Sequence, residues 1–141
     1  MEMDLPKNYR PSEDEPYMNP EQLEYFRQKL LLWRAELMQE SGEILSLVKE
    51  KSQKVPDDVD RGVLEADNIL KLRTGSRYSK LLHKIDEALG QIKVGAYGYC
   101  KETGEQIGIK RLEVRPTATL SIEAQKRHEQ IERWTQVRYR R

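Results

Sequence analysis

The sequence predicts a mainly α-helical protein: a long antiparallel coiled-coil hairpin, a small zinc-finger-like globular domain and a C-terminal helix. Two long segments repeat apolar residues at heptad spacing, and a short acidic turn, Val55-Pro56-Asp57-Asp58-Val59-Asp60, separates them. A glycine-rich stretch with paired knuckle spacing follows.

Residues 1–18 contain Pro6, Pro11 and Pro16 without periodicity and are expected to be irregular or partly mobile. Asn19-Pro20-Glu21-Gln22 then supplies an N-cap, a proline at the first helical position and a capping-box partner, which opens a hairpin expected over 19–94. On the first arm Leu23, Phe26, Leu30, Trp33, Leu37, Ile44 and Leu47 step by three and four, with Glu40 as the polar interruption. Pro56 disfavours helix at the residue before it, so the chain reverses at a tip over 55–62. The second arm continues with Val63, Ala66 and Leu70 and, after a polar stretch, Leu81, Ile85, Ala88 and Ile92. Folding about the turn places Leu47 opposite Ala66, Leu30 near His83 and Lys84, Leu23 near Gly90, and Glu40 and Ser41 near Arg73, Thr74 and Arg77. An arm of about 35 residues is roughly 50 Å long at helical rise.

A small domain is expected over 95–124, with Gly95-Ala96-Tyr97-Gly98-Tyr99, Thr103-Gly104 and Ile107-Gly108-Ile109 read as short strands joined by tight turns. From Ser121 onward Ile122, Ile131, Trp134 and Arg138 suggest an amphipathic helix, and 125–141 forms a basic C-terminal segment.

The chain has 141 residues, 37% of them hydrophobic and 35% charged, which suits exposed helices better than a thick core. No run is long or apolar enough to span a membrane, and the acidic N-terminus does not read as a signal peptide, so a cytoplasmic protein with no membrane contact is expected. A single cysteine excludes an internal disulfide framework. The net charge of +1 hides an acidic start (Glu2, Asp4, Glu13, Asp14, Glu15) and a basic end (Lys126, Arg127, Arg133, Arg138, Arg140, Arg141). With Glu129 and Glu132 interleaved and no base-stacking aromatic pattern, that end reads as a solvated helix face, and no direct DNA binding is expected. There is no phosphate loop, metal-binding histidine pair or nucleophile elbow, so the chain is not expected to be an enzyme.

Cys100-x2-Thr103, then seventeen residues, then Ser121-x2-Ala124 keeps the C-x2-C, C-x2-C spacing of a structural zinc site. Hydroxyls stay protonated and bind zinc poorly, and alanine has no ligand atom, so the four positions are degenerate and no zinc cofactor is expected. Packing must then hold the domain, with Cys100 and Thr103 as small groups, Ser121 capping the last helix, and Tyr97, Ile107, Ile109 and Leu112 supplying apolar area. Without metal-bound thiolates the domain should also tolerate peroxide and chelators. Cys100 has no histidine at an activating spacing; His83 and His128 read as helix-surface residues.

The turn DxVDR at Asp57 to Arg61, Gly98-Tyr99-Cys100, and Ile107-Gly-Ile109-Lys-Arg111-Leu-Glu113-Val-Arg115-Pro116-Thr-Ala together resemble the DksA/TraR family of bacterial transcription factors. The resemblance runs from about Tyr17 to about Arg127. It implies a monomeric regulator that binds RNA polymerase at its secondary channel and rim. The coiled-coil tip would lie near the active centre and change the lifetime of promoter complexes, including those of ribosomal RNA genes, with the alarmone ppGpp in the stringent response. On that resemblance Asp57 and Asp60 match the tip aspartates, Val59 lies between them, and Gly62 takes a place usually held by alanine. Lys84 and Arg115 match two cations of the ppGpp site; the third, usually lysine, is Gln125 here, with Lys126 next along.

The acids also have a local explanation, because Asp57 or Asp58 can cap the second arm and negative charge is favoured in a first helical turn. Two other functions share this pattern. One is a transcript-cleavage factor of the Gre type, with the acidic tip assisting a second magnesium; the other is a coiled-coil adaptor with no polymerase role.

Overall fold

The computed structural model describes residues 4–53 and 58–139, and within them leaves undescribed the side chains of 44–45, 47–53, 58–64, 67–68 and 138–139. Four helices follow in order: α1 Pro20–Gln53, α2 Asp58–Val94, α3 Ile109–Val114 and α4 Ile122–Tyr139. They form two compact units, Lys29–Glu87 and Met1–Gln28 with Ala88–Arg141.

Helix α1 starts where its capping residues place it. Asn19 Oδ1 accepts from Gln22 N at 2.8 Å, and Gln22 Oε1 accepts from Met18 N at 2.8 Å, so two amides at the helix start are satisfied by side chains. Gln22 is fully buried, and its Nε2 donates to Ser12 O and Glu15 Oε2. Helix α2 closes with Ala96 N donating to Gln91 O and Gly95 N to Ile92 O around the positive φ of Gly95, the Schellman pattern.

In the unit Lys29–Glu87 the arms run antiparallel: Arg34 Nε donates to Asp86 Oδ1 at 2.7 Å, and the Tyr78 phenol faces the Glu40 carboxylate, which pushes its pKa up. Leu30, Leu37 and Ile85 are buried, and Trp33, Ser41, Lys71, Thr74, Tyr78 and Leu81 are half-buried. Three expectations are corrected here. His83 and Lys84 are exposed, and the Arg34–Asp86 bond puts Arg34 rather than Leu30 at the neighbouring level. Tyr78 is the residue that answers Glu40, while Arg73 and Arg77 are exposed. Ala66 and Leu70 are exposed, because the seam of α2 runs through the polar residues Lys71, Thr74 and Tyr78 in steps of three and four. Heptad geometry therefore overrides the apolar pattern in that stretch. Ile44, Leu47 and Val63 belong to the undescribed side chains.

The other unit has an aromatic centre. Tyr9, Tyr25, Phe26 and Tyr97 meet in succession at centroid distances of 6.2, 5.2 and 5.7 Å, and Phe26 and Tyr97 are almost wholly buried. The N-terminal segment is irregular, as expected, yet it is tied down from Tyr9 onward. Tyr9 donates to Glu15 at 2.6 Å, and Tyr17 donates to Gly98 O at 2.6 Å while accepting from Gly108 N at 3.0 Å.

The expected strands do not form among the described residues: one isolated bridge joins Tyr99 and Gln106. Tight turns consume the backbone groups instead, with Cys100 N donating to Glu105 O, Gly104 N to Cys100 O and Ile107 N to Gly98 O. Ile109 opens α3 rather than extending a strand. Helix α4 starts at Ile122, within the segment assigned to the knuckle domain. Its apolar face is uncovered, with Ile122, Ile131, Trp134 and Val137 all exposed; among its described side chains only Ala124 is buried.

Candidate functional site

Helix α2 begins at Asp58, so the Asp58 and Asp60 positions lie in its first turn, where the N-terminal end of the helix dipole favours negative charge. Asp57 lies outside the described residues, as do the side chains of Val59, Asp60 and Gly62. The three candidate cations are all exposed: Lys84 on α2, Arg115 at the C-terminal end of α3, and Lys126 on α4. Arg115 also has a backbone role, since its N–H donates to Arg111 O at 2.8 Å and its carbonyl accepts from Ala118 N at 3.0 Å. Gln125 is half-buried, with its amide turned to Glu129.

The knuckle positions are brought together around Cys100. Burial of this thiol, 4% exposed, favours its neutral form, but the Thr103 hydroxyl and the backbone amides of Ser121, Thr103 and Glu102 donate to the sulfur and bring its pKa down to about 6. Ser121 Oγ accepts from Ala124 N at 3.2 Å and caps α4, as its sequence position suggests. Thr103 is exposed rather than packed; its hydroxyl accepts from Glu105 N at 3.3 Å. The Ala124 methyl is fully buried. Amides that would steady metal-bound thiolates in a four-cysteine site here serve a single sulfur. One thiol, two hydroxyls with partners of their own and a methyl group do not fit zinc. Among the described residues no group of three or more His, Cys, Asp or Glu could hold a metal ion.

The IGIKRLEVRPTA block holds this arrangement in place. Ile109, Leu112, Pro116 and Ala118 are buried, Arg111 Nε donates to Leu120 O at 3.1 Å, and the buried Tyr97 hydroxyl donates to Pro116 O at 2.7 Å. Glu113 accepts from Tyr25, whose phenol is pushed up first by burial and then by that bond. His128 on α4 pairs with Glu102 in the first knuckle turn. Sequence reasoning missed this link, and also missed Tyr17 and Tyr78, because a tyrosine hydroxyl carries no periodic signal.

A coiled-coil unit joined to a knuckle domain with this block defines a recognisable class. Residues 22–92 match the family described as DnaK suppressor protein DksA, N-terminal domain, and residues 95–130 match the prokaryotic dksA/traR C4-type zinc finger. The chain belongs to the DksA family. It is 56% identical over 126 residues to the RNA polymerase-binding transcription factor DksA of Caulobacter vibrioides, covering 89% of each chain. It is 39% identical over 115 residues to the protein of the same name from Escherichia coli K12, covering 82% of this chain and 76% of that one. Among solved structures, transcription factor DksA2 of Pseudomonas aeruginosa is similar with a TM-score of 0.78 and 43% identity, over 83% of this chain and 90% of that one.

Proposed function

We propose that this protein is a transcription regulator that binds RNA polymerase directly, reaching through the secondary channel so that the acidic turn lies near the active centre. The observation that carries the reading is likeness over nearly the whole chain to a relative named as an RNA polymerase-binding transcription factor. The antiparallel arms held by Arg34–Asp86 and Glu40–Tyr78 support it, because they can present a turn at a fixed register. Asp57 and Asp60 act at the turn, with Val59 and Gly62 beside them; Lys84, Arg115 and Lys126 hold the phosphates of ppGpp at the polymerase rim. The protein acts in the cytoplasm as a monomer, without catalysis, zinc or direct DNA contact. Among the described residues no helix is long and apolar enough to cross a membrane.

Binding to core RNA polymerase, followed by transcription from a ribosomal RNA promoter with and without ppGpp, tests this reading. Asp60→Asn is expected to retain polymerase affinity and thermal stability while losing inhibition; full inhibition by that variant would sink the assignment. Elemental analysis is expected to find less than stoichiometric zinc, and one tightly held zinc per chain would contradict the metal-free knuckle. Cleavage of RNA in backtracked complexes would instead support a Gre-type role.

A further inference from the structure

A cavity of about 340 Å³ lies between the start of α1 and the end of α2, lined by Pro20, Leu23, Glu24 and Arg27 from one helix and Leu89, Ile92 and Lys93 from the other. All of them belong to the same compact unit. In each helix these residues follow the spacing of one helical face, so a face of α1 looks across at a face of α2. Leu23, Leu89 and Ile92 carry the seam spacing but stay half-buried, because they border the cavity. Its size falls at the small end of ligand pockets and suits one small molecule.

Glu24 gives the cavity its chemistry. The residue is 5% exposed, and both donors that reach its carboxylate, Arg27 Nη1 at 3.0 Å and Gln28 Nε2 at 3.1 Å, bind the same oxygen, Oε1. Oε2 has no hydrogen bond among the described residues. A buried carboxylate oxygen left unmet is costly, and a donor supplied from the cavity relieves that cost. Lys93, which lines the same cavity, is exposed, and its ammonium has no acidic partner among the described residues. The remaining lining of Pro20, Leu23, Leu89 and Ile92 is aliphatic.

An occupant that satisfies this lining brings a donor for Oε2, an anion for Lys93 and an apolar body. A simple amine would place a third cation beside Arg27 and Lys93, and a fatty acid would leave Oε2 unmet and set its charge against Glu24. A polar zwitterion would leave the aliphatic lining unused. We propose that the cavity binds a free α-amino acid with a large apolar side chain, of the leucine or phenylalanine kind. Its ammonium donates to Glu24 Oε2, its carboxylate meets Lys93, and its side chain packs on Leu23, Leu89 and Ile92. The site stands independently of the polymerase reading.

Amide NMR on the full-length protein, titrated with L-phenylalanine into the millimolar range, tests the site. Saturable shifts are expected at residues 20–27 and 89–93. 3-Phenylpropanoate lacks the amine and 2-phenylethylamine lacks the carboxylate; the first is expected to bind about tenfold more weakly or worse, the second several-fold more weakly, and L-serine, without the apolar body, not to saturate. Glu24→Gln weakens L-phenylalanine binding about tenfold but does not weaken 3-phenylpropanoate, since only an amine uses Oε2. Lys93→Met weakens L-phenylalanine several-fold and does not weaken 2-phenylethylamine; because Lys93 is exposed, this variant keeps the fold and decides the matter should Glu24→Gln lose it. Equal affinity for L-phenylalanine and 3-phenylpropanoate would mean an unselective apolar hollow and overturns the proposal. So does the absence of saturable shifts at these residues, or L-phenylalanine binding that neither variant changes.

Discussion

Gly98→Ala probes how the N-terminal segment is fixed. Gly98 has φ +93°, a conformation that L side chains rarely adopt, and an added Cβ would lie 2.9 Å from Met18 Cγ, 3.1 Å from Met18 Sδ and 3.1 Å from Tyr17 Oη. The methionine chain can swing aside at modest cost. The Tyr17 hydroxyl cannot, because it donates to Gly98 O and accepts from Gly108 N, and moving it breaks both bonds. Backbone strain of about 1–3 kcal/mol and loss of hydrogen bonding at a half-buried site, about 1–3 kcal/mol, combine to a destabilisation of roughly 2–6 kcal/mol. For a chain of this size that corresponds to a fall in Tm of roughly 4–24 °C, measured by circular dichroism or calorimetry. Met18→Ala removes the two methionine atoms but leaves the tyrosine and the strain, so in the double variant Met18→Ala/Gly98→Ala less than half of the loss is recovered. A Tm for Gly98→Ala within about 2 °C of the parent would refute the reasoning, because it would mean that residues 17 and 18 are not held against Gly98.

Two further outcomes follow from buried polar groups. Tyr97→Phe removes the donor to Pro116 O from a residue only 1% exposed, and urea titration should show a loss of about 1–3 kcal/mol with an unchanged m-value; no loss would mean that the carbonyl finds water. Ultraviolet thiolate absorbance should titrate near pH 6 in the folded protein, against about 8.5 for an unfolded thiol. The folded value is the lower one, so this group's stabilisation is complete above the unfolded pKa and is lost as pH falls through 6. Thr103→Val should raise the folded midpoint, and a parent midpoint above 8 would remove the hydrogen-bonded thiolate from the account.

The helix starts were legible because they depend on neighbouring residues: Asn19, Pro20 and Gln22 specify the beginning of α1, and Gly95 specifies the end of α2. The apolar part of the seam was legible for the same reason, since Phe26, Leu30, Leu37, Ile85 and Ala88 are buried at the spacing that heptads require. Further along α2 the pattern misled. Leu70 continues an apolar rhythm but is exposed, while the seam passes through Thr74 and Tyr78, whose places are set by the partner arm. The glycine-rich stretch looked like strands because its φ-positive residues and short apolar runs suit hairpins equally well, yet the turns close on themselves before a ladder can form.

The sequence by itself determined the helical class, the acidic turn between two arms and a knuckle lacking three of its four cysteines, because composition, caps and ligand chemistry are properties of individual residues and their near neighbours. Only the tertiary structure decided that one sulfur gathers the amides of two knuckles, that Tyr17 pins the N-terminal segment across Gly98, and that Arg34 meets Asp86 across the arms. These facts depend on groups far apart in the chain, and hydrogen-bond direction and helix register become defined only when the partners meet.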